Sequence, residues 1–177
     1  MTPPVMYYTL DPIVEPLADA SAVPTQSKII GLRPVDLPGT INRTQMVTRS
    51  GPHQLAISSL NRWADYPNQL VQQTIGENLQ TLMPDTRIVI PPWPMGLKPD
   101  VILTIKINEM IGTAAQQVLF SAVWTITAAD LSLSDSHRLN LTEPVMGKGY
   151  DELAAAHSRV LEAFCRKMAD SLRTFHS

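Results

Sequence analysis

The chain has 177 residues, enough for one domain with a sizeable core. Its formal net charge of −2, with 14 basic and 16 acidic residues, argues against nucleic acid as a partner. A single cysteine excludes an internal disulfide, and no apolar run is long enough to span a membrane. Met1-Thr2-Pro3-Pro4 lacks the basic and apolar regions of a signal peptide. The protein is therefore either cytosolic or trimmed of a targeting segment.

The first half of the chain predicts short extended segments around a single helix. Strands are expected at 6–10, 28–37, 40–49 and 54–57, with a proline-containing loop at 11–27 and a turn at Pro38-Gly39. Apolar residues between Leu70 and Met83 recur at helical spacing, and Pro84 ends the pattern. Residues 68–83 are therefore expected to form a helix.

The second half predicts antiparallel strands followed by a long helix. After a short strand at 87–90, the segments 101–108 and 118–127 alternate apolar with small or polar residues and are expected to form a hairpin. Further strands are expected at 131–133 and 138–142, separated by a turn at 134–136. A helix at 151–175 would begin with Asp151 as its N-cap. This order predicts an α/β (α+β-like) single domain, with two main helices packed on a mixed or antiparallel sheet.

No residue pattern in the chain predicts catalysis, a cofactor or a metal site. The four histidines (His53, His137, His157 and His176) are dispersed without the spacing of metal ligands. The chain contains neither a nucleophile elbow nor a phosphate-binding glycine loop. His157 is expected at the surface or its boundary, and Cys165 is expected to be a buried structural thiol. A protein without enzymatic activity is therefore expected.

Four arginines in the first part of the chain form the main candidate site. They are Arg33, Arg43, Arg49 and Arg62, and three of them lie within or just after predicted extended segments. They either form salt bridges within their own sheet or contact another protein, because guanidinium groups suit both roles. Arg and Trp are favoured in interfaces, so Arg62 with the following Trp63 is a candidate anchor.

The two remaining tryptophans have different expected roles. Trp124 lies in a strongly alternating strand and is expected in the core. Trp93 lies between Pro92 and Pro94, which makes its segment stiff and its ring semi-exposed. Trp93 is therefore either a lid over the core or a second interface anchor, and the sequence leaves both interpretations open.

Several short segments that occur in a fixed order along the chain are informative as a set. They are Tyr7-Tyr8-Thr9-Leu10, Val35-Asp36-Leu37-Pro38-Gly39, Arg43-Thr44-Gln45-Met46-Val47-Thr48-Arg49, Arg62-Trp63-Ala64-Asp65, Glu77-Asn78-Leu79, Pro92-Trp93, Ala122-Val123-Trp124 and Ala156-His157-Ser158. In order and approximate spacing this set resembles the ABC-type transport auxiliary lipoproteins, the Pqi-type (PqiC/YmbA-like, DUF330) family. The resemblance covers nearly the whole chain, which makes the set more specific than any one segment.

The resemblance implies a non-enzymatic subunit of an intermembrane lipid transport system. Such a protein is lipid-anchored to the outer membrane of a Gram-negative bacterium, lies in the periplasm, and partners an MCE-domain (PqiB-like) tunnel protein. It also implies a fold similar to the N-terminal domain of TolB, a possible homo-oligomeric ring and a contribution to membrane integrity. The family's lipobox cysteine is absent before Tyr7, so residues 1–177 are expected to be one periplasmic domain without signal peptide or lipobox.

Under this interpretation the first third of the chain carries a partner-binding surface. Its expected members are Leu37, Pro38, Arg43, Gln45, Arg49, Arg62 and Trp63. The alternative function is a periplasmic carrier of lipids or small hydrophobic molecules, held in an apolar groove between the last helix and the sheet. A filled core would favour docking, and a continuous apolar cavity would favour the carrier.

Overall fold

Eight strands form one mixed sheet, and two helices complete the fold. A computed structural model describes residues 3–14, 27–113 and 116–175. Its elements are β1 (Met6–Tyr8), β2 (Ile29–Leu32), β3 (Gln45–Gly51), β4 (Gln54–Trp63), α1 (Pro67–Leu82), β5 (Arg87–Val89), β6 (Val101–Thr113), β7 (Gln117–Ala128), β8 (Ser134–Pro144) and α2 (Tyr150–Thr174).

The long hairpin of β6 and β7 forms the centre of the sheet. The two strands pair antiparallel from Val101↔Ala128 to Thr113↔Gln117, and β8 continues the meander on the far edge of β7. In β7 every second residue is buried, as the alternation in its sequence dictates. A bulge after Ile107 inserts one extra residue into β6, so the buried side chains change from odd to even positions at Met110.

The other edge of β6 is shared by two different strands. β2 pairs in parallel with its beginning, and β3 pairs in parallel with its end. Between them the chain stays alongside β6, with the Arg33 amide donating to the Leu103 carbonyl and the Asp36 amide donating to the Ile105 carbonyl. The sheet therefore divides at this edge: β2 leads to β5, while β3 leads to β4 and β1.

Both helices pack on one face of the sheet and cover the core. The Phe164 ring of α2 lies 4.9 Å from the Phe120 ring of β7, and the Trp124 indole donates to the Ser171 hydroxyl at 3.0 Å. Gly76 of α1 lies directly against the Ile90 side chain, which follows β5. Within the described residues, no helix has both the length and the apolar character needed to cross a membrane.

The segment after β1 ties the two helices together. We call residues 9–14 the strap. The Asp11 amide donates to the Ser158 hydroxyl of α2, and the Ile13 amide donates to Asn78 Oδ1 of α1, at 3.0 and 2.7 Å. Leu10, next to the first of these contacts, is buried. The strap thus joins the edge strand β1 to the helix pair.

The predicted fold class is confirmed: a single α/β domain with a mixed sheet and two helices. The 101–108 and 118–127 hairpin is present and its pairing extends beyond both predicted segments. Both predicted helices are present within one residue of their expected bounds. Trp124 and Cys165 are buried as expected. Residues 15–26 of the predicted loop at 11–27 lie outside the described residues.

Several local predictions are wrong. Residues 131–133 form no strand, and Ser134, Asp135 and Ser136 belong to β8, because pairing with β7 overrides their turn preference. Of the predicted 28–37 strand only Ile29–Leu32 is regular, and residues 39–44 turn before β3 begins. The N-cap of α2 is Gly149 at φ 94°, which places Asp151 inside the first turn.

Candidate functional site

The sheet has one face that neither helix covers, which we call the open face. Side chains alternate along each strand, so the residues beside the buried ones point to this face. It includes Lys106 of β6, Val123 of β7 and Arg138 of β8, which lie opposite one another in a single row. Lys106 and Arg138 are exposed, and Val123 is half-buried.

Two of the seven predicted partner-binding residues lie in the core. Leu37 is 8% exposed and Trp63 is 6% exposed. The Trp63 ring meets the His157 ring edge-to-face, with 5.4 Å between centroids. Pro38 lies beside Leu37 and is half-buried. Leu37 and Trp63 can therefore support a surface from behind, whereas direct contact with a partner falls to the more exposed members of the set.

Gln45 and Arg62 lie side by side on the open face. Gln45 of β3 pairs with Arg62 of β4, and Arg62 also pairs with Tyr7 of β1. The neighbours Met46, Trp63 and Tyr8 face the core, so these three side chains point outward. Tyr7 is 65% exposed, and Arg62 is half-buried. The edge of the sheet thus presents a phenol, a guanidinium and an amide in one row.

Arg49 belongs to the same face but is already paired. Its Nη2 donates to Glu109 Oε1 at 2.6 Å, and the two side chains are 40% and 31% exposed. The bond joins β3 to β6 across a short parallel pairing at Thr48 and Arg49. This position supports the structural interpretation of Arg49, because a charge-assisted hydrogen bond holds the strands in register.

Arg43 and Arg62 have no such partner among the residues that the structure describes. Their Nε atoms are shielded from solvent and form no hydrogen bond within the described residues. Arg43 lies in the turn before β3, where the following strand and the start of α1 meet: the neighbouring Asn42 side chain accepts the Asn68 amide at 3.1 Å. A shielded guanidinium nitrogen without an acceptor is unusual in a folded protein. These two arginines are the strongest candidates for contact with another molecule.

Trp93 covers the open face at the end of the sheet formed by β2 and β5. The connection from β5 to β6 crosses over β2, and the Trp93 ring lies against Gly31, where any Cβ would come within 2.7 Å. The Arg33 guanidinium lies over this ring at 5.8 Å. Of the two interpretations, the structure supports the lid, although the lid lies on the open face and not over the helix-covered core.

Cys165 and His157 are both buried in the core, where burial shifts the pKa of each side chain away from its charged form. Burial raises the pKa of the Cys165 thiol to about 12, and its nearest polar contact is the Asn78 amide nitrogen at 3.7 Å. His157 is 3% exposed, which makes its predicted surface position wrong. Burial lowers its pKa, and the carbonyls of Leu153 and Met110 offset part of this effect. Within residues 3–14, 27–113 and 116–175, no three acidic, cysteine or histidine side chains are placed to hold a metal ion.

Sequence reasoning missed the role of Tyr7, Lys106 and Arg138 on the open face. Because the pattern in β6 is regular at this point, alternation could have placed Lys106 on the face of the sheet opposite to that of the buried Ile105. No comparable signal exists for Arg62. Between the pairs Gln45↔Arg62 and Val47↔Ile57, β4 has more intervening residues than β3, and this irregularity decides which way Arg62 points.

Comparison with solved structures identifies the fold. A crystal structure of an uncharacterised protein superposes with a TM-score of 0.79 at 18% identity, covering 96% of this chain and 99% of that one. Protein XCC0632 from Xanthomonas campestris, of the DUF330 family, superposes with a TM-score of 0.71 at 12% identity, covering 93% of each chain. Both are similar to this chain in fold alone, given their low identity. No curated protein matches the sequence.

The chain thus has the fold of a small α/β domain similar to that of protein XCC0632. The chain belongs to the family of ABC-type transport auxiliary lipoprotein components, whose model matches residues 8–169. The resemblance described from the sequence is therefore confirmed. The family places the protein with the auxiliary subunits of transporters.

Proposed function

We propose that the protein is a non-enzymatic docking subunit of an intermembrane lipid transport system. It is tethered by an N-terminal lipid to the outer membrane, lies in the periplasm, and binds an MCE-domain tunnel protein. Through this contact it contributes to membrane integrity, and it assembles into a homo-oligomeric ring. Membership of a transport auxiliary lipoprotein family supports the proposal.

The unpaired arginines carry this proposal. Arg43 and Arg62 are half-buried, their Nε atoms lack acceptors within the described residues, and Arg62 adjoins the exposed Tyr7. A guanidinium held in place by its surroundings loses little freedom when a carboxylate or carbonyl arrives, so it can supply directed binding energy. Arg together with Tyr is also typical of interface centres.

The packing between α2 and the sheet does not favour the carrier alternative. The cavity beside His157 encloses about 10 Å³, which is room for one water molecule at most. Sites for small molecules of drug size occupy about 300–1,000 Å³. The side chains that would have to move for a lipid to enter are Leu37, Ile41, Met46, Trp63 and Met110.

The test is binding between the full chain and the periplasmic region of the MCE protein encoded beside it. We expect Arg62→Ala and Arg43→Ala each to weaken binding by about tenfold or more, as for interface hot spots, without lowering the thermal midpoint. Arg166→Ala is the matched control, because this arginine lies on the solvent-exposed side of α2 and pairs only with Glu162. Light scattering on the same samples measures the oligomeric state.

Two results would count against docking at this surface. If the native, folded chain does not bind the MCE region, the docking function fails. If it binds and both arginine variants bind equally well, the function stands but the surface lies elsewhere. Trp63→Ala is unsuitable for this purpose, because removing a buried indole costs about 3–5 kcal/mol and confuses folding with binding.

A further inference from the structure

The arginines of α2 and the basic side chains of the open face differ in how they are paired. On the helix side, each arginine of α2 has a carboxylate within 3.0 Å: Arg159 with Glu143, Arg166 with Glu162 and Arg173 with Asp170. On the open face the pattern is reversed. Among the basic side chains on the described part of the open face, only Arg49 forms a salt bridge.

The unpaired basic side chains spread across the open face. Lys106 and Arg138 flank Val123 in one row, Arg87 lies in register with Ile29 at the β5 edge, and Arg33 stacks on Trp93. Together with Arg49 and Arg62 they make six basic groups on the described part of this face. The carboxylates there are those of Asp36, whose backbone pairs with Lys106, of Glu109, and of Asp100 at the edge, which accepts the Ile29 amide.

The open face therefore has the opposite sign to the molecule as a whole. Six basic groups against three carboxylates give it a net charge of about +3, whereas the complete chain carries −2. Such a separation is not needed for folding, since Lys106 and Arg138 are exposed and contact no carboxylate within the described residues. It creates a surface that attracts a negatively charged partner.

The character of the face favours a protein over a membrane as that partner. Hydroxyl groups lie on the open face of β7 and β8, where those of Thr125 and Ser136 form a hydrogen bond of 2.8 Å. No large apolar side chain of β6, β7 or β8 is among the exposed ones, so nothing around Lys106 and Arg138 is placed to enter a bilayer. The exposed apolar side chains of the open face are Leu55 and Ile57 of β4, in register with Arg49 and Val47. Asp36 and Glu109 would be repelled by anionic lipid, whereas a protein can place cations opposite them.

We infer that the open face, centred on Lys106 and Arg138 and continuous with Arg62, binds an acidic protein surface. The inference rests on the proposed docking function and adds to it the chemistry of the partner's surface and two contact residues. The partner presents Asp and Glu side chains to a flat sheet, and the basic groups accelerate the encounter and fix its orientation.

The experiment measures the Kd and association rate of the full chain for the neighbouring MCE protein's periplasmic region, at about 50 and about 300 mM NaCl. The double variant Lys106→Glu/Arg138→Glu is compared with Arg166→Glu/Lys167→Glu, an equal charge change on exposed positions of α2. We expect the first variant to bind about tenfold more weakly or worse and to lose most of its salt dependence. The α2 variant should behave like the native chain.

Each other outcome overturns the inference in a recognisable way. If the native chain binds but both variants keep its affinity and salt dependence, docking stands and the acidic-partner inference fails. If the native chain does not bind, both fail together. If Lys106→Glu/Arg138→Glu abolishes binding to phosphatidylglycerol vesicles and leaves the protein complex intact, the face serves a membrane. Thermal unfolding of each variant confirms that a lost interaction is not lost folding.

Discussion

Gly31 shows how a missing side chain permits a crossing of the chain. The connection from β5 to β6 passes over β2, and Trp93 and Pro99 lie where a Cβ on Gly31 would come within 2.7 Å of each. We predict that Gly31→Ala destabilises the protein by about 1–3 kcal/mol, because a rigid indole and a proline ring must shift. Urea unfolding measures the difference.

The matched control for this prediction is Gly39→Ala. Gly39 is exposed in a turn, needs no left-handed backbone, and has open space within 4 Å of the point where an added methyl group would stand. Alanine there should leave stability within about 0.5 kcal/mol of the native value. Equal stability of Gly31→Ala and Gly39→Ala would show that the Trp93 loop is free to lift from the sheet.

His157 makes stability depend on pH. Burial lowers its pKa below the ordinary value of 6.5, so in mildly acidic solution the unfolded chain binds a proton that the folded chain does not. Stability should therefore fall as the pH drops below about 6.5, and it should be constant with respect to this residue above that value.

The measurement is the free energy of unfolding between about pH 5 and pH 8. His157→Gln should be less stable at neutral pH, because it loses the packing of the ring, but its stability should fall less towards acid. His53→Gln, at an exposed turn position, should keep the native pH profile. A native profile that stays flat below about pH 6.5 would contradict the prediction.

At the scale of the elements, the strap depends on one buried amide. Asn78 is fully buried in α1, accepts the Ile13 amide at 2.7 Å and donates towards Cys165 Sγ. We predict that Asn78→Ala costs about 1–3 kcal/mol, since it leaves buried polar groups without partners. Hydrogen exchange of the Ile13 amide should accelerate.

Gln73→Ala provides the comparison on the same helix. Gln73 is exposed and bonds only to Glu77 four residues later, so its loss should change stability by about 0.5 kcal/mol or less. An Ile13 amide that keeps its protection in Asn78→Ala would mean that the strap is held by Leu10 and the Asp11–Ser158 bond alone.

The elements that sequence predicts best are those with one regular period. Alternation in β7 and the first part of β6, and the apolar stripe of α2, are uninterrupted, so strands, helix and hairpin follow directly. His157 could have been placed as well. It lies four residues after Leu153 and four before Leu161, on the buried stripe of α2, and polarity outweighed position in the prediction.

Other features depend on contacts between distant segments. Ser134, Asp135 and Ser136 have the composition of a turn, yet pairing with β7 makes them a strand. The direction of Arg62 depends on the irregular pairing of β3 with β4, which no local pattern encodes. The seven predicted partner-binding residues could thus be selected from the sequence as a group, whereas their division into buried, paired and unpaired members required the tertiary structure.

For the whole molecule, the packing between α2 and the sheet predicts that no lipid is held in the core. A lipid between α2 and the sheet would have to fit where the cavity beside His157 encloses about 10 Å³. Organic extraction of the full chain purified under native conditions should therefore yield much less than one lipid per protein by mass spectrometry. The MCE protein proposed as its partner, extracted in parallel, controls for the recovery of lipid.

Lipid recovered at one molecule per chain would contradict this expectation. It would mean that α2 moves away from the sheet, and Phe164→Ala should then change the amount bound, because its ring fills the contact with Phe120 and Trp124. Without bound lipid, the protein acts through its surfaces. One face of the sheet is committed to the helices and to stability, which leaves the basic open face available for the proposed recognition of a transporter partner.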